Sequence, residues 1–133
     1  MLFFPLFAAG AILGGLAEQA ARTVNSEAIV VICACPDEPT AARIAQELVN
    51  QRLAACVNRL SSVRSTYSWQ GRIQEEPEVV LTIKTTRERY EALEVRLRAL
   101  HPYEVPEIIA LPVVAGSASY LNWIASETQA SSS

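Results

Sequence analysis

The chain has one histidine, one lysine and three cysteines in 133 residues, and each scarcity closes off a class of chemistry. His101 alone cannot supply the paired imidazoles of a proton relay or a polyhistidine metal site. Cys33, Cys35 and Cys56 cannot all pair within one chain, and none stands in a CxxC spacing, so neither a disulfide framework nor a zinc ribbon is expected. Basic residues are outnumbered, 11 Lys+Arg against 14 Asp+Glu, for a net charge of −3. That balance supplies no basic field for nucleic acid or an acidic surface. P-loop, GxGxxG, GxSxG and HExxH patterns are missing too, and with them the activities they carry.

What is there is greasy: 50% of the chain is apolar and 19% charged, enough for a real core and too apolar for wholesale disorder. Met1 to Ala17 holds no charged side chain, and Gly15-Leu16-Ala17 offers small residues in a cleavage-like pattern, yet no Lys or Arg precedes Arg22. Three readings of this stretch stand: a signal or anchor, a helix packed on the domain, or an upstream extension. Glu18 to Glu27 reads as a polar linker. Residues 1–27 are therefore set apart from a domain over 28–128, with 129–133 a frayed tail. The expected location is cytoplasmic, or exported or membrane-anchored if residues 1–17 act as a signal or anchor.

Ala28 to Cys35 is a β-branched run ended by Pro36, the pattern of a strand buried on both faces. Asp37 can cap a helix with an apolar stripe at Ala41, Ile44, Ala45 and Leu48. Leu53 to Leu60 returns to strand, and Val63 to Trp69 continues it past a Ser61-Ser62 bulge. Gln70-Gly71 turns the chain into a long hairpin, with Pro77 confined to an edge or a bulge. Thr85 and Glu88 form a capping-box pattern before a helix that buries Tyr90, Leu93, Leu97 and Leu100 and ends at His101-Pro102. Ile108 to Val114 is the last strand, and Tyr120 to Ile124 marks a terminal helix. The order is β-α-β-β-α-β plus a helix, an α+β ferredoxin-like βαββαβ sandwich with an extended hairpin between its second and third strands. Two helices cover one sheet face; the other is apolar without cover, and a second copy of the chain is the economical partner.

Three chemistries fit the residues. A cysteine nucleophile with His101 as base is the first, against the ordinary reading of small cysteines packed in strands. A metal site from Cys33, His101 and Glu78 is the second: thiolate, imidazole and carboxylate suit copper or zinc. Without a ligand role, Cys33 is a small hydrophobe, His101 a helix C-cap and Glu78 a solvated charge. The third is a small-molecule or anion pocket built from Tyr67, Trp69, Lys84 and Tyr103, against plain packing for the aromatics.

The strings Val30-Val31-Ile32-Cys33, Leu53-Ala54-Ala55-Cys56-Val57-Asn58, Tyr67-Ser68-Trp69-Gln70-Gly71-Arg72-Ile73 and His101-Pro102-Tyr103-Glu104-Val105-Pro106-Glu107, in this order, resemble the CutA divalent-cation tolerance family. The likeness runs from about Ala28 to Ile124. It implies a ferredoxin-like subunit in a PII-like homotrimer, sheets packed inward around a threefold axis, with no enzymatic activity. It further implies binding of copper or another divalent cation and a part in the response to metal ions. The family's copper site falls on Cys33, on His101 and on the residue before that histidine, which is Leu100 here and offers no nitrogen. Cys35 is an additional thiol on the same strand face as Cys33, and Glu78 matches a family carboxylate. The alternative is a PII-like signalling or structural trimer that takes a small ligand or protein partner in clefts between subunits, through Tyr67, Trp69, Lys84 and Tyr103.

Overall fold

In the computed structural model the described residues are 27–130. The readings given to residues 1–17, to nearly all of the linker and to the last three residues lie outside them. Strand β1, Ala28–Cys35, is hydrogen-bonded on both edges, antiparallel to β3 on one side and to β4 on the other. Pro36 stops it. Asp37 then caps helix α1, Glu38–Asn50, its carboxylate accepting from the Thr40 N–H at 2.9 Å, while Pro39 sits in the first turn where a missing N–H costs nothing. The predicted stripe Ala41, Ile44, Ala45 and Leu48 is the buried face of that helix.

The second strand starts later than expected. At the end of α1 the carbonyl of Leu48 takes the N–H groups of both Leu53 and Ala54, at 2.9 and 3.2 Å, so these residues close the helix and β2 begins at Cys56. Strand β2, Cys56–Trp69, carries the predicted bulge: register slips between Leu60 and Val63, with Ser62 at φ 63°. Gln70 and Gly71 turn the chain with φ of 50° and 78°, the positive angles that a two-residue hairpin requires. Strand β3, Arg72–Thr86, pairs with β1 only from Val79 onward, so among the described residues the part holding Pro77 has no strand on its second edge, where proline is tolerated.

The capping box is not made. Thr85 instead turns inward, fully buried, and donates its hydroxyl to the Leu53 carbonyl at 2.7 Å; Thr86 occupies the cap position with no side-chain bond. Helix α2, Arg87–Leu100, buries Leu93 and Leu97, with Tyr90 and Leu100 half-buried beside them, and Arg98 meets Glu94 at 3.0 Å on its wet side. Strand β4 is Ile108–Pro112, shorter than the predicted run to Val114, although Val113 still donates its N–H to the Ala28 carbonyl at 3.2 Å. Helix α3, Ala118–Glu127, is capped by Ser117 and buries Ile124 against Ala28 and Ala55. Among the described residues no helix is long and apolar enough to cross a membrane.

The strand order β2-β3-β1-β4 is that of a ferredoxin-like sandwich, as the element order predicts. Residues opposite each other in an antiparallel ladder share a face. Val31, Cys33, Cys35, Leu81 and Ile83 thus face α1 and α2 and form the core. Val30, Ile32, Thr82, Lys84, Asn58, Leu60, Ile109 and Leu111 fall on the other face, where Leu60, Ile109 and Leu111 stay 45–52% exposed. Replacing Thr85 by Val should therefore cost about 1–3 kcal/mol in denaturant unfolding, since the Leu53 carbonyl loses its buried donor. Glu88→Ala, aimed at a capping box that does not form, should cost no more than the ~0.3–1 kcal/mol of an acidic side chain in the first helical turn.

Candidate functional site

Cys33 and Cys35 lie two residues apart on β1, so alternation aims both at the helix-covered side. His101 reaches them from the end of α2. Pro102 forces the preceding residue out of helical backbone, and His101 takes ψ 136° with its N–H still held by the Leu97 carbonyl. The ring then turns under the end of β1. Ligand atoms of Cys33, Cys35 and His101 all lie within 4.8 Å of one another, and all three residues are buried.

The histidine is fully engaged. Its Nε2 lies 2.7 Å from the carbonyl oxygen of Ala34, one residue past the last β1–β4 pair, and its Nδ1 accepts the N–H of Tyr103 at 3.1 Å. That pattern assigns the proton to Nε2 and makes the ring neutral. Burial lowers its affinity for a second proton; hydrogen bonds to Cys35 and to the Ala34 carbonyl raise it and outweigh burial, but a proton on Nδ1 would forfeit the Tyr103 bond. The thiols divide their roles. A hydrogen bond from Cys33 pulls Cys35 down to about 6, against burial and with help from His101, while the same contact, burial and the nearby negative charges of Cys35, Glu107 and Glu78 push Cys33 far up. The pair gives up one proton readily and keeps the other.

Glu78 does not join this cluster. It sits on the opposite face of β3 from Val79, the partner of Cys35, and its carboxylate accepts the Tyr103 hydroxyl at 2.9 Å. Leu100 is no ligand either: it packs against the core and its carbonyl takes Arg43 at 3.4 Å. Tyr103 is the bridge, bonded through its backbone to His101 and through its hydroxyl to Glu78, its ring centred 4.7 Å from the imidazole and tilted 54° to it.

Beside Tyr103 opens a cleft of about 630 Å³, lined by Tyr67, Trp69, Tyr103 and Glu78 among others. The Ser61-Ser62 bulge puts the first two there: it inserts one residue, so Val63, Ser65, Tyr67 and Trp69 follow Leu60 onto the open face. Lys84, predicted as the fourth member, is not in the cleft. It stands opposite Val30 and Cys56, six residues along β3 from Glu78, bonded to Asn58 and to Thr82. Residues that sequence reasoning missed are Glu76, Glu104 and Glu107, which give the cleft an acidic lining. Alternation along β3 places Glu76 with Glu78, a signal that was present; the fold of the 102–107 loop has no such period.

Fold and centre together define a ferredoxin-like subunit with a buried dithiol–imidazole cluster under its central strand. Comparison with known proteins agrees. The profile described as CutA1 divalent ion tolerance protein matches residues 29–127. The divalent-cation tolerance protein CutA of Thermus thermophilus is 46% identical over 99 residues, 74% of this chain and 96% of that one. Protein CutA of Homo sapiens is 46% identical over 95 residues, which is 71% of this chain and 53% of the human one. The crystal structure of CutA from Xylella fastidiosa superposes with a TM-score of 0.77 at 45% identity, covering 78% of this chain and 100% of that one. The chain belongs to the CutA1 divalent ion tolerance family.

The paired thiols set a pH signature. Between about pH 6 and the ordinary thiol range the unfolded chain holds one more proton on this pair than the native one, so the pair's contribution to stability rises with pH across that window. Above it the native chain holds the extra proton on Cys33, and the contribution falls. Thiolate absorbance in the ultraviolet should step up near pH 6 in the native protein, and Cys35→Ser should abolish the step.

Proposed function

We propose that the chain is a non-enzymatic metal-tolerance protein that binds copper or another divalent cation at Cys33, Cys35 and His101. The observation that carries this reading is the convergence of two thiols and an imidazole, all buried, within 4.8 Å. Soft sulfur with one nitrogen suits copper or zinc and is a poor set for magnesium or calcium. To serve as a ligand, His101 must give up either the Ala34 carbonyl or the Tyr103 N–H, each worth about 0.5–1.5 kcal/mol. Binding of a thiolate-held metal is on the order of 10 kcal/mol, so the metal wins that exchange. Cys35 supplies the donor that Leu100 cannot, and its readily lost proton favours the thiolate a metal needs. Glu78 acts through Tyr103 rather than as a ligand. The names of the relatives, divalent-cation tolerance proteins, point the same way.

The functional unit we infer is a homotrimer built on the open sheet face. Leu60, Ile109 and Leu111, each about half exposed, would gain roughly 1 kcal/mol apiece on burial, well short of the cost of association. The arm beyond Val79 adds what they lack: among the described residues its β3 edge and the outer edge of β4 have no strand partner, and they can pair between copies.

Two experiments test this. Competition with a chromophoric Cu(I) chelator should show Cys33→Ser with His101→Ala weakening copper binding by about a hundredfold or more, and Cys35→Ser by at least tenfold. Binding as tight as wild type in the double variant would sink the assigned site. Light scattering should give the mass of three 14.5 kDa chains, and Ile109→Glu with Leu111→Glu should dissociate them. A folded wild-type monomer would refute the trimer.

A further inference from the structure

The cleft beside Tyr103 carries an inference separate from the thiol centre, because its chemistry is of another kind. Its volume of about 630 Å³ is that of a small-molecule site rather than of a bare ion. Tyr67 and Trp69 line it and remain 38% and 44% exposed in the single chain, on the arm that the inferred trimer brings towards a second copy. Glu76, Glu78, Glu104 and Glu107 line it as well, and no Lys, Arg or His side chain does. None of the four has a basic partner among the described residues: the ion pairs there use Glu38, Glu47, Glu75 and Glu94. An anion, the ligand that Lys84 suggested from sequence, would find four carboxylates and no cationic side chain among the lining residues.

A metal ion fits no better. Among the described residues the one group of three or more metal-ligating side chains that converges is Cys33, Cys35 and His101; the cleft carboxylates are spread along its walls instead of gathered into one coordination sphere. Dispersed negative charge beside open aromatic faces is what an extended organic cation requires. Carboxylates meet its charges while Trp and Tyr rings hold alkylammonium or guanidinium groups through their π faces. The phenols feel that field: after burial, Glu76 and Glu78 are what hold the Tyr67 and Tyr103 hydroxyls above the ordinary range.

We propose that this cleft is a second binding site, one for an organic cation bearing ammonium or guanidinium groups and of polyamine size, with Trp69 and Tyr67 as its aromatic wall and Glu76, Glu104 and Glu107 as its counter-charges. It does not depend on the thiol centre. Calorimetric titration of the metal-free full-length chain with spermidine tests it. Saturable binding that weakens as salt rises is expected, with ATP giving none. Trp69→Ala and Glu76→Gln with Glu104→Gln should each weaken spermidine about tenfold, in variants whose thermal unfolding confirms that they are folded. Cys33→Ser with Cys35→Ser should leave it intact. No saturable heat with spermidine overturns the proposal, as does equal binding of ATP or undiminished binding in folded cleft variants. If instead the cleft variants change the mass seen by light scattering and spermidine does not bind, the cleft is a contact between copies, and the proposal fails.

Discussion

Everything in this subunit depends on β1 being paired along both edges. From Ile29 to Cys33 a strand so placed has no backbone group left to solvate, so its side chains alone decide what lies above and below the sheet. The run from Ala28 to Cys35 answers with apolar groups on both sides. One side takes α1 and α2 and becomes core; the other keeps Val30 and Ile32 at the centre of a half-covered sheet. The same strand carries the thiols at its end, where helix cover is complete and solvent is excluded. Burial of Cys33 and Cys35 is therefore a consequence of topology, as is the proximity of each to the other.

The end of β1 is also where the ladder runs out. β4 stops opposite Cys33, leaving the Ala34 carbonyl one step beyond its last strand partner, and His101 supplies the missing donor. A buried carbonyl without a partner would cost about 1–3 kcal/mol, so the imidazole has a structural reason to be where it is. That reason and the metal reading do not compete. A ring held neutral, oriented by two backbone groups and set within reach of two thiols is one that needs no reorganisation beyond the surrender of a single hydrogen bond. A free histidine on a loop would pay conformational entropy as well.

Much of this was legible in the sequence because it is periodic or local. The β-branched run Ala28–Cys35, the 3.6-residue stripe of α1 and the Gln70-Gly71 turn are written in short windows, and so is the shared strand face of Cys33 and Cys35. Thr85 misled because two hydrogen-bonding roles were open to it, and the buried Leu53 carbonyl, a tertiary feature 32 residues away, outcompeted a local cap. The start of β2 failed for a like reason: Leu53 and Ala54 have strand chemistry, but the unsatisfied Leu48 carbonyl at the helix end claimed their N–H groups. Lys84 was assigned to the cleft on its rarity, which says nothing about direction. The register of β3 puts it opposite Val30, far along the strand from the aromatics.

The bulge at Ser61-Ser62 has the widest reach for its size. Were the same residues paired in unbroken alternation, Arg64, Thr66 and Ser68 would share the face of Leu60, and the arm would present hydroxyls and a cation where it now presents Tyr67 and Trp69. With the bulge, the aromatics share the face of Glu76 and Glu78 and stand opposite Gln74 and Arg72, next to the loop that carries Tyr103 and Glu104. Tyr103 then ties this acidic, aromatic surface to the imidazole on the far side of β1, by one bond to Glu78 and one to His101. A metal that draws Nδ1 must displace the Tyr103 N–H, and a change at Tyr103 is a change in the wall of the cleft. Where a metal takes Nδ1, a ligand that prefers one position of Tyr103 would alter metal affinity, and by linkage the metal would alter the ligand's affinity by the same factor.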